Sequence, residues 1–296
     1  MRHQLTFLAL TLTALAHAQA PAAAPFVTHQ LKPNVYWIEG GGGNSGVIVG
    51  TNGVIVIDAK TTAAGGKELL DDIAKITPKP VTAVIETHSD GDHINGVASF
   101  PAGVKVIAHT NNRKEQEAAI KAGGRGAPAA DRLPSQLITK DTETITLEGV
   151  TRELHHWAPA HTSGDLVVYL PADKIVFTGD IIAMQMADPL IHAEKDGTSE
   201  GWIATVKGIT ALNSDQFVPG HGDLQTKAPI QKRLADAEAK RTKIADLVKQ
   251  GKTLDEVKAA VDPPPAAPAA GAPAGGGRGP AFASYSQVVY QELTKK

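Results

Sequence analysis

Six consecutive residues, His88-Ser89-Asp90-Gly91-Asp92-His93, put four nitrogen and oxygen donors within reach of one another. Clustered carboxylates repel unless a cation sits between them, so this spacing makes a poor turn and a good metal loop. Three more residues of the same kind close other apolar runs: His161 after Thr151 to Trp157, Asp180 after Ile175 to Gly179, and His221 after Gln216 to Gly220. Taken singly, Asp180 and His221 read as ordinary turn residues. Together with the cluster they complete a donor set (His88, Asp90, Asp92, His93, His161, Asp180 and His221) large enough for two divalent ions, such as zinc at about 2.0–2.2 Å from each donor. The chain contains no cysteine. Disulfides, thiolate nucleophiles and iron–sulfur clusters are thereby excluded, and any metal must rest on nitrogen and oxygen.

These residues need strands to carry them. Val35 to Glu39, Gly46 to Val49 and Val54 to Asp58 read as strands, the last two joined by a Thr51-Asn52-Gly53 turn. Val81 to Glu86 and Val104 to Ala108 read as strands too, and so do Thr151 to Trp157, Leu166 to Leu170, Ile175 to Thr178 and Gln216 to Val218. Leu69, Leu70 and Ile73 give Lys67 to Lys75 one apolar helical face, and a second helix is expected over about Asn112 to Lys121. Ser199 is expected to cap a helix running to about Leu212, and Thr253-x-x-Glu256 is a capping box for a short one ending at Val261. Strands and helices interleave throughout, which favours helices packed on sheets within one unit over residues 26–262. Several strands end on a donor, and strand ends along one sheet edge are where such sites are built.

Thr87-His88-Ser89-Asp90-Gly91-Asp92-His93-Ile94-Asn95-Gly96 is similar to the Thr-His-x-His-x-Asp-His-x-Gly-Gly signature of the metallo-β-lactamase superfamily. His161-Thr162-Ser163-Gly164-Asp165, Phe177-Thr178-Gly179-Asp180 and Pro219-Gly220-His221-Gly222 follow in that family's order. The resemblance implies an α/β fold, the αββα sandwich: two mixed sheets packed face to face with helices outside. It implies a first metal site of His88, Asp90 and His161, a second of Asp92, His93 and His221, and Asp180 bridging them. It also implies two Zn2+ ions and a zinc-dependent hydrolase of the class B β-lactamase kind, in which metal-activated water opens a cyclic amide. Asp92 is then a catalytic ligand that orients the nucleophile. The Thr-Gly-Asp setting of Asp180 is closer to the glyoxalase II type of site than to the Cys-containing lactamases. Ala183 stands where some lactamases carry a substrate-anchoring Lys.

The main departure is Asp90, where most of the family has His. Three carboxylates then face the four positive charges of two zinc ions, so the site is expected to be less positive, to acidify water less, and to tolerate Mn2+ or Fe2+. Outside the ligand set, Asp58 is expected to support the metal loops from behind, and Asn95 to assist an oxyanion. His192 is expected to line the substrate cleft. His155 and His156 alternate on one strand, one expected inward and one exposed. His109 reads as part of a helix-start loop. Gly40 to Gly43 reads as a flexible hairpin loop near the mouth of the site, lacking the Lys-Ser/Thr of a phosphate-binding loop.

Lys+Arg 29 against Asp+Glu 31 gives a net charge of -2 and no electrostatic case for nucleic-acid binding. Residues 1–20 read as a signal peptide ending in Ala18-Gln19-Ala20, which predicts export, and a periplasmic location in a Gram-negative host. Its apolar run is shorter than the roughly 20 residues a spanning helix needs. Residues 263–280 are Pro/Ala/Gly-rich and read as a flexible linker, and residues 281–296 as a docking helix with Tyr285, Val288, Val289 and Leu293 inward. Three functions remain in play, each with a small-molecule substrate or none: β-lactam opening, a lactonase or thioesterase, and a non-hydrolytic metal-binding module of an exported redox or cofactor pathway. Oligomeric state is not encoded in any of these patterns.

Overall fold

A computed structural model describes residues 24–124, 126–262 and 282–295. The leader-like residues 1–20 and the Pro/Ala/Gly-rich residues 263–280 lie outside the described residues. Among the described residues twelve strands make two sheets. The first runs in chain order: β1 (Val27–Lys32), β2 (Val35–Glu39), β3 (Ser45–Val49), β4 (Val54–Ile57), β5 (Val81–Ile85), β6 (Lys105–His109) and β7 (Gln136–Ile138). Its first three pairings are antiparallel and its last three parallel. The second sheet holds β8 (Thr142–Leu147), β9 (Val150–His155), β10 (Val167–Leu170), β11 (Ile175–Phe177) and β12 (Gln216–Val218), with only the β11–β12 pair parallel. Both sheets are therefore mixed, as the resemblance implies.

Alternation assigns each side chain to a layer. Ile55 and Ile57 of β4 join Ala83, Ile85, Val168, Leu170 and Phe177 in the core between the sheets. Val54 and Val56 point the other way and pack with Val84, Leu69 and Ile73 beneath α1 (Ala63–Ile76). Val167, Tyr169 and Val176 face α4 (Ser199–Ala211), α5 (Lys227–Lys249) and α7 (Tyr285–Thr294) in a third apolar layer. Helices thus cover both outer faces. Buried on both sides, β4 and β10 read as unbroken apolar runs, which is why the sequence locates them.

The helix expected over Asn112 to Lys121 is α3 (Thr110–Ala122), and elements with weaker patterns differ more from expectation. Thr62, whose side chain accepts from Gly65 N–H at 3.0 Å, starts α1 a turn before Lys67. Gly65 and Gly66 are poor helix formers, which hides that turn. Gly66 is there for space, since a Cβ would meet the Gly96 carbonyl oxygen at 2.1 Å. Edge strand β1 and the alternating Thr/Glu strand β8 expose much of one face and escape an apolar reading. Ser199 is not the cap of α4: Thr198 is, its side chain accepting from Gly201 N–H, while the Ser199 amide donates to Glu292 of α7 at 2.7 Å. The capping box at Thr253 and Glu256 does open α6 (Leu254–Val261). No helix among the described residues is long and apolar enough to cross a membrane.

Candidate metal centre

The seven donors converge on one edge of the sandwich. After β5, Thr87 to Asp90 lead into a single helical turn, α2 (Gly91–Ile94), in which the His93 and Ile94 amides donate to the Asp90 carbonyl. This turn aims Asp92 and His93 inward together. His161 follows β9, Asp180 lies in a tight turn after β11, and His221 follows β12. The first sheet therefore supplies His88, Asp90, Asp92 and His93, and the second supplies His161, Asp180 and His221.

Two groupings result. Ligand atoms of His88, Asp90, His161 and Asp180 lie within 4.8 Å of one another, and so do those of Asp92, His93 and His221. Asp180 reaches both, with Oδ1 3.2 Å from His93 Nε2 and Oδ2 3.4 Å from His221 Nε2. The Nε2 atom of His88 and the Oδ1 atom of Asp180 are buried without a hydrogen-bond partner. Orphaned polar atoms facing other donors cost free energy unless a cation completes them, so the residues present fit a divalent ion. The all-nitrogen-and-oxygen donor set suits zinc, manganese or iron.

Charges in the cluster are strongly coupled. Burial opposes a charged His161, but the Asp90 carboxylate beside it wins and lifts the imidazole to about 9. Hydrogen bonds to Asp180 and Asp92 lift His221 to about 9 as well. Burial works against the Asp90 carboxylate, yet the imidazoles of His161, His192 and His88 hold it well below the usual range.

Behind the donors, Asp58 is held at a φ of 57°, a backbone region non-glycine residues rarely adopt. That geometry lets its carboxylate accept from Thr87 N–H at 2.8 Å, Thr87 Oγ1–H at 2.7 Å and His93 Nδ1 at 2.8 Å. His93 Nε2 is thereby turned to the centre. His161 is oriented likewise by the Leu190 carbonyl, 2.9 Å from Nδ1. Asn44, which the sequence gave no reason to single out, ties the sheets together: its amide donates to the carbonyls of Pro219 and Gly222, both at 2.9 Å, on either side of His221. The Gly40–Gly43 loop packs directly against the donors, where a Cβ on Gly43 would strike the His93 ring at 2.1 Å.

A cleft of about 250 Å³ opens over the donors, walled by Met186, Leu190, His192 and Phe282. His192 is thus among the residues that line this cleft. Asn95 is not: its amide donates to the Gly126 carbonyl at 3.1 Å, because the helical turn that aims His93 inward carries Asn95 away. His156 is not exposed either. It stacks on His109 with ring centroids 3.9 Å apart, while His155 stacks on Trp157, and neither residue is among the grouped donors.

A family model described as the metallo-beta-lactamase superfamily matches residues 38–221. The alpha subunit of 2,4-dinitroanisole O-demethylase from Nocardioides sp. (strain JS1661) is 24% identical over 66% of this chain and 57% of its own length. A metallo-beta-lactamase type 2 of Bacteroides fragilis is 25% identical over 63% of this chain and 72% of its own. Among solved structures, the inverting sec-alkylsulfatase Pisa1 from Pseudomonas sp. superposes with a TM-score of 0.66 at 20% identity, covering 90% of this chain and 50% of that one. A metallo-beta-lactamase from Pontibacter korlensis gives 0.61 at 20% identity, over 72% and 99%. The chain thus spans 57% and 61% of the lengths of the two O-demethylase subunits it matches.

Proposed function

The chain belongs to the metallo-beta-lactamase superfamily, and on that footing we propose that it is a metal-dependent hydrolase opening a cyclic amide of the β-lactam type. The observation that carries this is the pair of donor groups sharing Asp180 at the floor of an open cleft. His88, Asp90 and His161 are assigned to one ion, Asp92, His93 and His221 to the other. A divalent ion held by these residues would supply an acidified water and polarise a scissile carbonyl. The chain supplies the rest. Asp92, the most accessible of the donor carboxylates, faces the cleft and orients the attacking water, while His221 Nε2 fixes its Oδ2 at 3.1 Å. Met186, Leu190 and Phe282 offer the substrate an apolar wall and limit bulk water.

That wall also favours a second reading, cleavage of an ester with an aliphatic chain, such as a lactone, a thioester or an alkyl sulfate. Met186 and Phe282 are two of the few large apolar side chains left exposed among the described residues. Purified protein loaded with zinc, manganese or iron(II) should be assayed against a chromogenic cephalosporin, a lactone, an acyl thioester and an alkyl sulfate. Cephalosporin turnover that disappears in His88→Ala and His221→Ala supports the first reading. Turnover of the esters alone moves the assignment to the second, and no hydrolysis with any metal leaves the non-hydrolytic metal-binding module. Export through residues 1–20 belongs to the same proposal, and secreted material beginning at Met1 would refute it.

A further inference from the structure

Asp90 is the most crowded donor of the centre. Its Oδ2 lies 3.2 Å from His161 Nε2, 3.2 Å from His192 Nε2 and 3.7 Å from His88 Nε2. Its Oδ1 is taken by the ammonium of Lys195, which also donates to Ser89 Oγ at 2.9 Å. The carboxylate is thus divided: one oxygen faces the imidazoles, the other an ion pair.

Lys195 does not reach this position by chance of a loose side chain. It closes a short helical turn, Ala193–Lys195, whose chain is stitched to the His161 segment. His192 N–H donates to the His161 carbonyl at 2.8 Å, and Ser163 N–H to the Lys195 carbonyl at 2.8 Å. The backbone that presents His161 therefore also presents Lys195. The Asp90 and Lys195 side chains are only 14% and 26% exposed, so water screens their attraction incompletely. Lys195 also borders a second cavity of about 540 Å³, lined too by Lys114, Glu115 and Ser163.

We propose that Asp90 and Lys195 act as one neutral donor unit: the Lys195 ammonium occupies Oδ1 and cancels the carboxylate charge, and Oδ2 is left as the single oxygen offered to the first-site ion. The pair then replaces the uncharged imidazole expected at position 90, and the site is no less positive than one built with His. The inference rests on the metal centre proposed above.

The direction of the effect separates this from a plain structural salt bridge. An ammonium a few ångströms from a dication repels it, so Lys195→Met should tighten first-site binding about tenfold, whereas loss of a mere anchor would weaken it. Lys195→Arg keeps the charge and should stay within about threefold of wild type. Asp90→His leaves Lys195 facing a neutral ligand and should bind the first-site ion about tenfold more weakly, and Asp90→His with Lys195→Met should recover to within about threefold. The measurements are metal affinity by competition with a chromophoric chelator, and cobalt(II) absorption to follow the site. Lys195→Met that binds equally or more weakly, or an Asp90→His protein that binds as tightly as wild type with Lys195 in place, overturns the pairing. Wild type that binds no divalent ion sinks the metal centre and the pairing with it. Wild type that binds metal but lacks the coupling sinks the pairing alone.

Discussion

Asp58 shows how much of a metal centre is decided by a residue that touches no ion. Its carboxylate spends three contacts on Thr87 and His93. Asp58→Ala should lower metal affinity by about 10–100-fold while the chain stays folded, as outer hydrogen-bond partners of ligating imidazoles generally do. Elemental analysis after dialysis at limiting metal checks this, and full occupancy would contradict it. A second expectation concerns protons. With no cation present, carboxylate neighbours hold His161 and His221 charged up to about 9. A bound dication takes the same nitrogens and must expel those protons. Apparent affinity should therefore rise with pH up to at least about 9. In the metal-free protein the sign reverses: these raised values stabilise the fold below about 6.5, and the contribution is lost as pH climbs through 9. Calorimetric titration at pH 7.5 in buffers of different ionisation heat measures the release directly; heats independent of buffer would disprove it. At this scale the donors were legible because four fall in one hexapeptide and the other three close apolar runs. Lys195 and Asn44 were not, since they lie 105 and 175 residues from the groups they hold and no spacing announces such a contact.

At the scale of elements, the loops after the strands matter more than the strands. Gly220 lets the β12 loop pass against the turn after β11, where a Cβ would fall 1.9 Å from Asp180 Oδ1 and 2.7 Å from the Gly179 carbonyl carbon. Gly220→Ala should displace Asp180 and reduce bound metal by at least one equivalent. Gly103→Ala makes the control: at a φ of 87° with nothing within 4 Å, it should cost about 1–2 kcal/mol and leave metal content unchanged. Equal metal content in both proteins would show that the close approach is unimportant. The central strands could be read from sequence because burial on both faces makes them continuously apolar. Strands β1 and β8 could not, because one face meets water and their residues look like loop. The start of α1 was hidden by glycines chosen for packing against propensity.

For the whole molecule, α7 brings the C-terminal stretch back onto the helical layer. Tyr285 is buried there and donates to the Ala237 carbonyl of α5 at 3.1 Å. Tyr285→Phe should cost about 1 kcal/mol and Tyr285→Ala about 3–5 kcal/mol, read from urea unfolding of metal-loaded protein. Similar midpoints for Tyr285→Ala and wild type would mean that the helix is dispensable to the fold. Glu292 of the same helix accepts from the Ser199 amide at the start of α4, so two surfaces far apart in sequence close one layer.

The first sheet carries four of the donors and the second three, and this makes the ion a tie between layers in a chain that has no cysteine to spare for one. A ligand that binds only the assembled sandwich shifts unfolding by mass action, about 1.4 kcal/mol for each tenfold excess of free ion over its dissociation constant. The melting temperature should then climb with the logarithm of free metal in chelator-buffered solutions, and a melt indifferent to metal would show that the tie carries no load. Heat resistance in this protein is in that sense a reading of metal supply, set by its surroundings as much as by its sequence.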